Sequence, residues 1–102
     1  MTDLEMTRLA AEAMGYLHHP ATGGYPCVQQ IGSRFNFIEA PSENQYPPYD
    51  PLHDDAQAMA LARRFPLVFE VSVIEWANHV RRGEPFDVAY DFCKRIAKRA
   101  EK

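Results

Sequence analysis

The sequence predicts an α+β domain: a small antiparallel or mixed sheet with helices packed on it, in the order α-β-β-α-β-α, as a three-layer alpha-beta-alpha sandwich. Three observations carry this. Apolar residues recur at three- and four-residue spacing in three separate stretches, which is the mark of helices with one buried face. Between the first two lie β-rich runs split by a Gly-Ser turn. The chain of 102 residues, 46% hydrophobic and 25% charged, has the composition of a single domain, and at that size one core is feasible without disulfides or metal.

Thr2-Asp3-Leu4-Glu5 fits a capping box, and Met6, Leu9, Ala10, Ala13 and Leu17 form one apolar stripe before Gly15. The first helix is therefore expected over 3–14. From Gly23 to Glu39 the apolar residues Tyr25, Val28, Ile31, Phe35, Phe37 and Ile38 surround Gly32-Ser33, which reads as a hairpin whose first strand Pro26 pushes to an edge.

Residues 40–53 hold Pro41, Pro47, Pro48 and Pro51 among polar residues and keep no apolar period. Loops of this length are uncommon in compact domains and often have a function. Asp54-Asp55-Ala56-Gln57 begins a second helix over 55–64, with Ala58, Leu61, Ala62 and Phe65 as its stripe and Pro66 as its stop. Leu67 to Trp76 is the richest β-branched and aromatic run and reads as a strand. A short strand followed by a helix competes with it, because Ser72 to Glu75 resembles a capping box and Val73, Ala77 and Val80 lie at helical spacing. Glu84-Pro85 opens the last helix, whose stripe is Phe86, Ala89, Cys93, Ile96, Ala97 and Ala100.

Charge is uneven. Residues 1–75 hold four basic and ten acidic residues, and residues 76–102 hold seven and four, within a net charge of −3. That balance argues against a dedicated polyanion binder. Uncharged apolar runs such as Pro66 to Phe69 and Val71 to Ile74 fall far short of the ~18 residues that span a bilayer, so no membrane partner is expected. The start of the chain lacks the basic and apolar pattern of a secretion signal. This predicts a cytoplasmic protein with Cys27 and Cys93 as free thiols.

Three stretches in order, Thr7 to Tyr16, Tyr49 to Ala62 (Tyr-Asp-Pro-Leu-His-Asp-Asp-Ala-Gln-Ala-Met-Ala-Leu-Ala) and Phe92 to Ala97, resemble the small bacteriophage and prophage proteins of the phage alpha-beta-alpha sandwich type. The middle stretch is the specific one. The chain departs from the pattern with Tyr49 where Trp is common, and with about seventeen residues between the second and last helices where two strands usually fit. The resemblance implies a phage-encoded accessory protein in a bacterial cytoplasm, and it carries over no catalytic residues.

His18, His19, His53, Asp54 and Asp55 are the nearest approach to a metal set. Adjacent histidines do not converge on one ion, and no Cys-x-x-Cys or His-x-x-x-His spacing exists, so neither metal nor cofactor is expected. Cys93 lies on an apolar stripe, where a thiol is an inert small hydrophobe, and neither a phosphate loop nor a Gly-x-Ser-x-Gly elbow occurs. The chain reads as a non-enzyme.

Tyr46 and Tyr49 in the proline-rich loop, with Trp76 and the acidic Glu39, Glu43, Asp50, Asp54 and Asp55, make the candidate protein-binding surface, because Tyr and Trp give large contact area at small entropic cost. The plainer alternative has Tyr49 and Leu52 tucked over the core with only Tyr46 outside. Arg81, Arg82, Lys94, Arg95, Lys98 and Arg99 could meet phosphates, but a solvated helix end complementing its own dipole is the preferred reading. The expected function is stoichiometric binding to a host or defence protein complex, an anti-CRISPR or other anti-defence inhibitor being the concrete form. Self-assembly as a phage structural component through the sheet edge near Tyr25 to Ile31 is the alternative, and nucleic-acid contact through the basic end the second alternative.

Overall fold

The computed structural model describes residues 1–42 and 45–101. In chain order it forms helix α1 (Asp3–Ala13), strands β1 (Leu17–His18), β2 (Tyr25–Ile31) and β3 (Arg34–Ala40), and helices α2 (Asp55–Arg64), α3 (Pro66–Arg81) and α4 (Val88–Glu101). The α+β class and the small mixed sheet stand, but the third strand of the sheet is β1, near the N-terminus, and not the segment after Pro66.

β3 is central. It pairs antiparallel with β2 across the two-residue turn Gly32-Ser33, where Gly32 takes φ +61°, and parallel with β1 on its other side. Only two residues make β1, too few to leave a periodic signal. The Thr2 hydroxyl accepts from the Glu5 amide at 3.1 Å, as its capping pattern requires, and α1 is tied to the sheet by an ion pair. Glu39, 3% exposed on β3, accepts from Arg8 Nε at 2.7 Å. A buried carboxylate without such a partner would be costly.

The expected strand at Leu67 to Trp76 is helical throughout. Phe65, at φ −131° and ψ 63°, breaks the run between α2 and α3, and Pro66 occupies the first turn of the new helix, where its missing N–H costs nothing. An extended segment would need a sheet edge to pair with; the outer edge of β2 is taken at Cys27 by Pro48, and the other edge is the two-residue β1. A helix satisfies its backbone internally. The last helix begins at Val88 rather than at Pro85, with the Asp87 carboxylate accepting from the Tyr90 amide at 3.1 Å.

The core gathers on α4. Phe92, Cys93, Ile96 and Ala97 are all 2% exposed or less, and they pack with Ala10 and Ala11 of α1, Leu61 and Ala62 of α2, and Phe37 of β3. Phe69 of α3 meets Phe92 edge-on at 5.1 Å between ring centres. Ser72, the one fully buried residue of α3, donates to Asp91, which also accepts from Arg95.

Gly23 marks the tightest backbone approach. Its amide and that of Thr22 both donate to the Glu39 carbonyl, and a Cβ at position 23 would lie 2.2 Å from the Ala40 carbonyl oxygen, whereas one at Gly24 would meet nothing within 4 Å. Gly23→Ala should therefore cost more than 2 kcal/mol in urea unfolding and Gly24→Ala less than about 1 kcal/mol. Equal effects would show that the approach of residues 23 and 40 is not a constraint.

Candidate functional site: the proline-tyrosine strap

Residues 45–54 cross the outer edge of β2 as a strap. Proline cannot donate, so the strap bonds to the strand through what its other groups offer. The Val28 amide donates to the Pro47 carbonyl at 3.0 Å and the Tyr49 amide to the Pro26 carbonyl at 3.1 Å. From the other side Gln57 of α2 donates through Nε2 to the Pro48 carbonyl at 2.9 Å and accepts from the Asp50 amide. The strap is thus fastened to strand and helix alike.

Tyr49 is its anchor. The ring is 4% exposed and packs edge-on against Tyr16 and Phe37, at 5.6 and 6.0 Å between centres, with Pro51 and Leu52 also buried. The reading with Tyr49 and Leu52 tucked over the core is the one the chain adopts, because an aromatic ring on a strap this short gains more by sealing the sheet than by standing in water. Among the described residues its hydroxyl has no hydrogen-bond partner.

An open cleft lies on each side of Tyr49. One, of about 350 Å³, is walled by Leu4, Thr7, Tyr25, Pro26 and Pro48. The other, of about 240 Å³, is walled by Met14, Tyr16, Val28, Phe35 and Pro47. Tyr16 and Phe35 stack at 5.4 Å. Neither was singled out from the sequence, since nothing in their spacing relates the end of a helix to the start of a distant strand. Gln57 was equally hidden, resembling no more than a capping residue.

The other anticipated residues are distributed as follows. Tyr46 is half-buried on the strap, and Asp50 is half-exposed with its carboxylate 3.0 Å from His53 Nδ1. Asp54 caps α2 by accepting from the Gln57 amide at 3.1 Å, and Asp55 is exposed. Glu39 is spent on Arg8, and Glu43 lies outside the described residues. Trp76 does not share this surface: it sits on α3 at 43% exposure, because its segment is helical. The edge of β2 expected to be open for self-assembly is covered by the strap over Pro26 to Val28.

The basic set divides. Arg95 is held by Asp91 at 2.8 Å, Arg82 pairs with Glu84, and Arg99 lies 6.0 Å from the Phe65 ring centre, while Arg81, Lys94 and Lys98 are exposed. Helices α1, α2 and α4 run the same way, since Ala13, Phe65 and Ile96 share one cleft, whereas Asp3 shares another with His53 just before α2, and Asp55 a third with Asp87 and Val88. Aspartates thus gather where helices start, and Arg63, Arg64, Lys98 and Arg99 where they finish, each sign complementing the helix dipoles.

Burial raises the Cys27 thiol above its ordinary value and pushes Cys93 up to about 12. Both stay protonated thiols at neutral pH and are poor nucleophiles. Among the described residues no three His, Cys, Asp or Glu groups could hold a metal ion, and no helix is long and apolar enough to cross a membrane. The chain matches no known protein family, no curated protein and no solved structure.

Two outcomes follow from this geometry. Because its hydroxyl is buried and unpaired, Tyr49→Phe should leave the urea midpoint unchanged or raise it, whereas Tyr49→Ala should cost about 3–5 kcal/mol. A loss of more than 1 kcal/mol in the Phe variant would mean that the hydroxyl is bonded after all. The unfolded Cys93 thiol ionises near its ordinary value while the folded one does not, so stability should be level below about pH 8 and fall above it by about 1.4 kcal/mol per pH unit. Chemical denaturation across pH 7–10 in wild type and Cys93→Ala tests this, the variant losing that part of the slope.

Proposed function

We propose that this chain is a stoichiometric binding protein of the accessory kind carried by phages and prophages, seating a segment of a host or defence protein complex against the strap. The observation that carries the reading is a strap fastened to both β2 and α2 with an open, mainly apolar cleft on each side. A preorganised concave surface loses little entropy when a partner docks. Tyr46, Pro47 and Pro48 form its outer ridge, and the exposed Asp54 and Asp55 beside it suit a basic partner. An anti-CRISPR or other anti-defence inhibitor is the concrete form. The class of protein rests on the resemblance of Tyr49 to Ala62 to the phage alpha-beta-alpha sandwich type, with a bacterial cytoplasm as its setting.

Affinity capture from a bacterial lysate, quantified for wild type, Phe35→Ala/Tyr46→Ala and Lys94→Glu/Lys98→Glu, tests the assignment. The expected result is a host protein held in fixed ratio by wild type and by the lysine variant, and lost with Phe35→Ala/Tyr46→Ala while its circular dichroism remains that of the folded chain. Loss with the lysine variant alone, together with a steep salt dependence, would transfer the function to the basic end and to phosphates. Unchanged capture by both variants would overturn the strap as the site.

A further inference from the structure

The fold leaves much of α3 uncovered, Trp76 and Val80 on one side and a longer apolar stripe on another. α3 is apolar nearly all round, a composition that belongs to a buried helix, and yet Ser72 is its one buried residue. Leu67, Val71 and Ile74 are 76%, 43% and 54% exposed and, with Asn78, recur at the i, i+4, i+7, i+11 spacing of a single stripe. These residues line neither cleft beside the strap.

We propose that a second copy of this chain covers this stripe, with the two α3 helices packed antiparallel about a two-fold axis. The charges beside the stripe make it complementary to itself. Glu70 and Arg81 are eleven residues apart, three helical turns, so both lie on one flank about 16 Å from each other. A two-fold axis between antiparallel helices sets each flank against the same flank of the partner with its direction reversed. Glu70 then meets Arg81 of the second copy twice, once at each end.

The opposite flank carries the cations of α4. Val68 shares a groove with Leu67, Val71, Arg95 and Lys98, which places the cations of α4 on the Val68 side, toward the start of α3. Glu75 lies two turns beyond Val68 on that side. In the register that pairs Glu70 with Arg81 the axis passes between Glu75 and Trp76, so Glu75 meets the middle of the partner helix, clear of the cations beside its start, and the charge match rests on the Glu70 and Arg81 flank. An isologous contact demands this matching of a patch with itself, and an unrelated acidic helix would leave Glu70 and Glu75 facing like charge.

The patch is a stripe along one 16-residue helix, so the dimer is weak and reversible. Sedimentation equilibrium over a concentration series should show reversible dimer formation for wild type, and Ile74→Glu should remain monomeric with unchanged circular dichroism. Glu70→Arg and Arg81→Glu should each weaken association about tenfold, and Glu70→Arg/Arg81→Glu should restore it, which decides the matter even if Ile74→Glu fails to fold. A wild type that stays monomeric throughout, a dimer unmoved by Ile74→Glu, or a double variant no better than the singles would overturn the proposal.

Discussion

The stripe Phe92, Cys93, Ile96 and Ala97 on α4 is sealed from solvent by α1, α2 and β3, with Phe69 of α3 closing over Phe92, so the order of the whole molecule hangs on keeping that one helix face dry. Each helix gains its stability from this shared burial more than from its own propensity, as short helices in water are marginal. It also fixes polarity. Three helices leaning on one another in the same direction bring their acidic starts together at one end and the basic finishes of α2 and α4 together at the other, so the bipolar surface is a by-product of packing.

The sheet is finished by means other than long strands. β1 contributes two residues, and the outer side of β2 is closed by backbone bonds from the strap. An open strand edge invites pairing with other chains, and a proline-rich cover that cannot extend a ladder is one way of preventing that. The same cover walls the clefts: Pro48 and Tyr49 line both, and Pro47 lines the second. A binding surface at this position would draw its rigidity from the features that protect the sheet.

Arg8 with Glu39 and Ser72 with Asp91 and Arg95 are the polar ties across elements. They differ in kind. The first compensates a carboxylate that the fold has buried, so it is needed, whereas the second orients α3 on α4 and leaves the opposite side of α3 to whatever covers it.

Much of this was legible in residue order. The caps at Thr2 and Asp54, the Gly32-Ser33 turn, the stop at Pro66 and the stripes of α1, α2 and α4 are local signals, and local signals set where elements begin and which face is apolar. The conformation of Leu67 to Trp76 was not decided that way. β-branched residues favour a strand only if a neighbouring edge supplies partners, and here one edge is covered at Pro26 to Val28 by bonds from residues about twenty positions away while the other is a strand of two residues. Tyr49 likewise has the composition of a surface anchor and becomes a plug because Tyr16 and Phe37, distant in sequence, close around it. Sequence by itself determined α1, α2, α4 and the hairpin; tertiary structure alone decided the conformation of α3 and which apolar groups found cover, because both depend on neighbours that the chain brings together only once it has folded.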